Sequence, residues 1–203
     1  MRRLCLAAGA AFLLLGWAFA GSGFGMIGHM AGHMIAVAVA APLLAFAIAG
    51  TSADPATRFP RIVTPLAMSV VELVVVWSWH VPALRLAAEA YPLVLIAEQA
   101  SFLVAGLLLW SAALGAAGDA RWARRAGGVA AMLLTSMHMT LLGALIGLAP
   151  RPLYAGLHAA HGMEPLADQQ VGGVVMLMIG AAAYFFGGLA MLASLLRLRE
   201  ARS

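Results

Sequence analysis

Five apolar runs, at about residues 29–50, 62–80, 92–116, 127–149 and 171–196, take up most of this 203-residue chain. Each approaches or exceeds the ~20 residues a helix needs to cross ~30 Å of hydrocarbon. Composition agrees: 64% of residues are hydrophobic and 10% charged, where a soluble domain has ~45–50% and ~25%. The fold class these runs predict is an all-α integral membrane protein. A sixth run, about 4–20, has Arg2 and Arg3 ahead of it and Ala18-Phe19-Ala20 before Gly21, which also describes a cleavable secretory signal. We read it as a retained first span, giving a single domain of six transmembrane helices, or five if it is removed. Either way, Met26 starts on the same side of the membrane.

The sequence pI of about 10.2 does not indicate a nucleic-acid partner once the charges are mapped. All twelve basic residues are arginine, and in a six-span arrangement only Arg85 and Arg151 fall on one side. The others, from Arg2 and Arg3 through Arg58, Arg61, Arg121, Arg124 and Arg125 to Arg197, Arg199 and Arg202, fall on the opposite side. That bias places both termini in the cytoplasm. The arginines then report orientation and contact with anionic membrane lipid, as expected of a bacterial plasma-membrane protein. Cys5 is the only cysteine, so disulfides, a CxxC site and an iron–sulfur cluster are excluded.

The loops Gly21–Gly28, Thr51–Arg61, Val81–Tyr91 and Ala116–Ala126 are short, and only Arg151–Gln170 is longer. Gly28/Gly32 and Gly143/Gly147 are small-xxx-small pairs that allow close helix packing. Pro42 lies inside the second span and should kink it, freeing backbone groups near the midplane. Trp77 and Trp79 suit an aromatic belt at the outer end of the third span, and Trp122 one at the inner side.

The outer half holds the unusual chemistry. His29 and His33 open the second span within Met26-Ile-Gly-His-Met-Ala-Gly-His-Met34, one helical turn apart on one face. His80 ends the third span, and Glu98 and Gln99 lie near the start of the fourth. His158, His161, Asp168, Gln169 and Gln170 precede the sixth. Deeper, His138 lies ~16 Å below the outer end of its span and Glu72 ~12 Å below His80, where ionisable groups normally face the interior and pair with one another.

A His/Met/carboxylate set without cysteine suits copper; zinc gains little from thioether, and haem is the less favoured alternative. Each group also has a plainer role. The histidines can bond to headgroups and backbone, the methionines can simply pack, and His80 can cap a helix end. Glu72 and Glu98 can act, protonated, only as hydrogen-bond partners. Asp168 can cap its own helix, or hold a liganding imidazole in one tautomer, the role we favour.

Taken in order, these residues resemble the multi-spanning CtaG family of cytochrome c oxidase assembly factors. Four segments carry the resemblance: His29-x-x-x-His33 leading to Ala41-Pro42-Leu43-Leu44; Trp79-His80-Val81-Pro82; Glu98-Gln99-Ala100-Ser101-Phe102 to Trp110; and Pro165 to Gly173 running into Val174-Val175-Met176. The chain departs from the family pattern at Gln99, where a histidine is frequent, and at Leu177, where a tryptophan is expected. The resemblance implies a protein that matures a haem–copper oxidase, with the oxidase subunits as partners and copper handled at the outer face. Expected ligands are His29, His33 and His80, with Met30 or Met34 as soft ligands and Glu98 and Asp168 in support. His138 is a candidate deeper relay, with Glu72 nearby. With no nucleophile–base pair or phosphate loop, an enzyme is not expected. A transporter built around Glu72 and His138, a b-type haem protein and a pure scaffold remain alternatives.

Overall fold

Proline sets the start of most helices, because its fixed φ suits the first turn and its missing N–H costs nothing there. The computed structural model describes residues 1–115, 121–160 and 162–200; His161 lies outside them. The helices are α1 (Arg2–Ala20), α2 (Gly25–Met34), a π-helical stretch (Ile35–Ala40), α3 (Ala41–Ile48), α4 (Pro55–Arg58), α5 (Pro65–Trp79), α6 (Pro82–Ala90), α7 (Pro92–Leu114), α8 (Arg121–Gly147) and α9 (Pro165–Glu200). Among the described residues all regular structure is helical.

Five helical segments are long and apolar enough to cross a membrane: α1, the stretch from α2 to α3, α7, α8 and α9. The expected third span is different. At fifteen residues α5 is short, and α6 follows it at a bend of 71°. Counting that pair as one broken span gives six. The expected loop Val81–Tyr91 is thus mostly helix.

Polarity is inverted relative to a soluble protein, as lipid as solvent requires. Leu148 is 82% and Leu93 80% exposed, whereas Glu72, Glu98 and His33 are fully buried. The small-residue pairs let helices touch. A Cβ on Gly32 would meet the Gly16 carbonyl of α1, and one on Gly143 would lie 2.8 Å from the Leu177 amide of α9. A Cβ on Gly173 would collide with the Gly147 backbone.

Pro42 does not break its span, because the backbone ahead of it widens into π register. The Ala41 N–H bonds to the Ala36 carbonyl, five residues back. In the same register the next acceptor, Val37 C=O, would face Pro42, which has no N–H. The Trp110 indole Nε1–H donates to that carbonyl at 3.0 Å instead.

The N-termini of α2, α7 and α9, the C-terminus of α5, helix α6 and the connection 148–164 all meet at one end of the bundle. This end carries the site.

Candidate functional site

His29 and His33, four apart on α2, turn one face inward, and His80 reaches them from the end of α5. Their ring centroids lie 6.2 Å (His29–His33), 5.1 Å (His29–His80) and 5.4 Å (His33–His80) apart. All three are at most 5% exposed. Phe102 of α7 closes one side, stacked on His33 with centroids 4.2 Å apart.

The ring nitrogens differ in how they are satisfied. His80 Nδ1 lies 2.7 Å from the Val76 carbonyl one turn back. A carbonyl only accepts, so Nδ1 carries the proton and the Nε2 lone pair is free. That Nε2 faces the Met30 Sδ at 3.4 Å, one weak acceptor opposite another. His29 Nε2 and both nitrogens of His33 are buried without any partner among the described residues. Native interiors leave few such groups, which makes this cluster the candidate site. Met30 thus joins the site. Met34 points elsewhere, its Sδ 3.7 Å from the position of a Cβ on Gly180 of α9.

On the other side of His29 lies an ion-pair network. Arg85 of α6, only 2% exposed, donates through Nη1 to both oxygens of Glu98 at 2.8 Å and through Nη2 to Glu89 at 2.9 Å. His29 Nδ1 sits between Arg85 Nη1 (3.3 Å) and Glu98 Oε2 (3.5 Å). Gln99 Nε2 donates to Glu98 at 3.2 Å, so the residue that departs from the family pattern supports the carboxylate. Sequence reading placed Arg85 in a loop and gave it no role. Pro82 at the helix start and the i,i+4 pair of Arg85 and Glu89 are the signals that could have found it.

The segment Asp168-Gln169-Gln170 acts as a clasp. Asp168 neither caps its own helix nor touches an imidazole among the described contacts, contrary to the expectation above. Its carboxylate accepts from the Met26 and Ile27 amides (2.8 and 3.2 Å), capping the helix that carries His29 and His33. An anion suits the positive end of that helix. Gly25 has φ +55°, and a Cβ there would run into Asp168 and the His158 carbonyl, so only glycine fits. Gln169 accepts from the Leu153 amide and donates to Ile146 C=O, and Gln170 donates to Ala149 C=O. One turn of α9 therefore ties α2, the end of α8 and the following connection together.

From that connection Tyr154 donates its hydroxyl to the His80 carbonyl at 3.0 Å. Burial pushes its pKa up to about 12, which keeps the donor protonated. Farther out, His158 is 86% exposed and reaches only Glu89, at 3.5 Å. A cavity of about 140 Å³, lined by Gly21, Gly25, Arg85, Ala88, Glu89 and Leu95 among others, opens beside the ion pair.

The deeper candidates are not joined. Glu72 Oε1 accepts from the Tyr184 hydroxyl at 2.6 Å, and no hydrogen bond links Glu72 to His138. His138 is 5% exposed, and both its nitrogens lack partners among the described residues.

Among the described residues no group of three or more His, Cys, Asp or Glu side chains is placed to hold a metal ion. The donor chemistry nonetheless fits a soft or borderline cation: three neutral imidazoles, unpartnered nitrogens and a thioether, all buried.

A family model described as cytochrome c oxidase caa3 assembly factor (Caa3_CtaG) matches residues 2–198. Searches of curated proteins and of solved structures found no significant match.

Proposed function

This chain belongs to the cytochrome c oxidase caa3 assembly factors, and from that premise we propose that it holds copper as cargo in the His29–His33–His80 cluster and passes it to the oxidase. The observation that supports this most is the set of buried, unpartnered ring nitrogens gathered beside Met30 at one end of a membrane bundle. Imidazole and thioether together favour copper over zinc. Proteins leave such nitrogens unsatisfied at a cost of ~1–3 kcal/mol each unless a ligand occupies them.

In this reading α2 and α5 supply the ligands, Arg85 and Glu98 hold His29 in place, and Asp168 fixes the start of α2. The arginine distribution supports a cluster at the outer face of the plasma membrane, where the copper centre of an oxidase would be reached. In this reading the protein works as a carrier.

Copper titration of the purified protein tests this. Wild type is expected to bind stoichiometrically and His29→Ala/His33→Ala/His80→Ala to lose binding; equal binding by both sinks the assignment. A translocation reading has one observation in its favour, the buried His138 whose ring nitrogens have no partner among the described residues. Copper uptake into sealed vesicles by wild type, lost in His138→Ala, would favour it over a carrier.

A further inference from the structure

One buried ion pair and two further carboxylates flank the cluster. Arg85 pairs with the buried Glu98 and with Glu89, and Asp168 sits at the positive end of α2, which offsets part of its charge. The candidate ligands His29, His33, His80 and Met30 are all neutral donors. Glu98 is already matched by a guanidinium, and Glu89, 28% exposed, is screened by solvent. The buried site therefore offers an incoming cation little compensating charge, and a divalent ion carries twice the uncompensated charge of a monovalent one, which is costly there.

We propose that Arg85 is a specificity-determining residue that tunes this site to a monovalent soft cation, Cu(I), against divalent ions. The proposal rests on the copper reading above and adds the oxidation state and the residue that sets it. Its guanidinium lies 3.3 Å from His29 Nδ1, so any cation on that imidazole feels it directly. The Met30 thioether facing His80 Nε2 acts in the same direction, because thioether favours Cu(I). Repulsion by a fixed positive charge scales with the charge of the incoming ion, so Arg85 penalises a divalent ion twice as much.

Zn(II) is the matched probe, because like Cu(I) it has a filled d shell and no geometric preference from d electrons. The test uses purified full-length protein in detergent, titrated anaerobically with Cu(I) against a chromophoric chelator and separately with Zn(II). Wild type should bind Cu(I) roughly 100-fold more tightly than Zn(II). Arg85→Gln should move that ratio toward Zn(II) by about tenfold, and Glu89→Gln should move it the opposite way, toward Cu(I). A merely structural role would weaken both ions together and leave the ratio in place.

Zn(II) binding to wild type within about threefold of Cu(I), or an unchanged ratio in Arg85→Gln, overturns the proposal while the copper reading stands. Should Arg85→Gln fail to fold, the partly exposed Glu89→Gln decides alone: an unchanged ratio, or one moved toward Zn(II), overturns it. Wild type that binds no metal removes the copper reading and this proposal with it.

Discussion

Two buried carboxylates, Glu98 and Glu72, sit in the same bundle in opposite company. Glu98 has a guanidinium on both oxygens, an amide donor from Gln99 and an imidazole beside it. Glu72 has one hydroxyl, from Tyr184, and its Oε2 is without a partner. Around Glu98 the unsatisfied atoms are many: Arg85 Nε, Gln99 Oε1 and ring nitrogens of His29 and His33. Around Glu72 the neighbours close on themselves, with Tyr184 stacked on Trp110 at 5.8 Å and Trp110 bonded to Val37. The contrast separates the region proposed to hold a guest from one that joins helices.

The largest effect should come from stripping Glu98 of its cation. Arg85→Ala leaves a buried carboxylate unpaired and is expected to cost ~3–5 kcal/mol in unfolding from detergent. A cost like that of a surface substitution would dissolve the contrast. Asp168→Ala should lose ~1.5–3 kcal/mol, because two amide bonds to a charged group go with the helix cap. It should also weaken copper binding without removing a ligand, and titration of the folded variant checks both. Trp110→Phe leaves the Val37 carbonyl bare and should cost ~1–3 kcal/mol by the same unfolding assay, with copper affinity unchanged. Glu72→Gln keeps an acceptor for Tyr184 and should cost under ~1 kcal/mol and leave copper binding alone. A large loss of binding there would move the guest region down to mid-bundle.

Five of the apolar runs and the meeting of His29, His33 and His80 were legible in sequence, because hydrophobic run length and helix ends carry that information locally. The third span was not, because α5 stops after fifteen residues and α6 bends away from it. Met30 was legible as one of several methionines, but its choice over Met34 depends on which face α9 covers. The target of Asp168 lies 142 residues away in the chain, and no local pattern announces it. Arg85 was hidden because Val81–Tyr91, between two spans, read as a loop. Once bent by 71°, α6 turns Arg85 inward and makes an apparent orientation marker part of the site. Glu72 and His138 were expected to find partners at that depth, and Glu72 found Tyr184 because α9 presents its hydroxyl at that level.

The π stretch ahead of Pro42 also fixes an angle. Each residue in an α-helix advances the chain by about 100° around its axis, so the wide turns at Ile35–Ala40 set the azimuth of the half above relative to the half below. The lower half is held against α7, where a Cβ on Gly106 would sit 3.1 Å from Ala41. Restoring plain α register over these residues without a deletion would swing His29 and His33 away from His80 by about a quarter turn, whereas deleting one residue as well would leave their aim nearly unchanged. The direction in which this protein aims its imidazoles is therefore written into the phase of one helix, in the wide turns that begin directly after Met34.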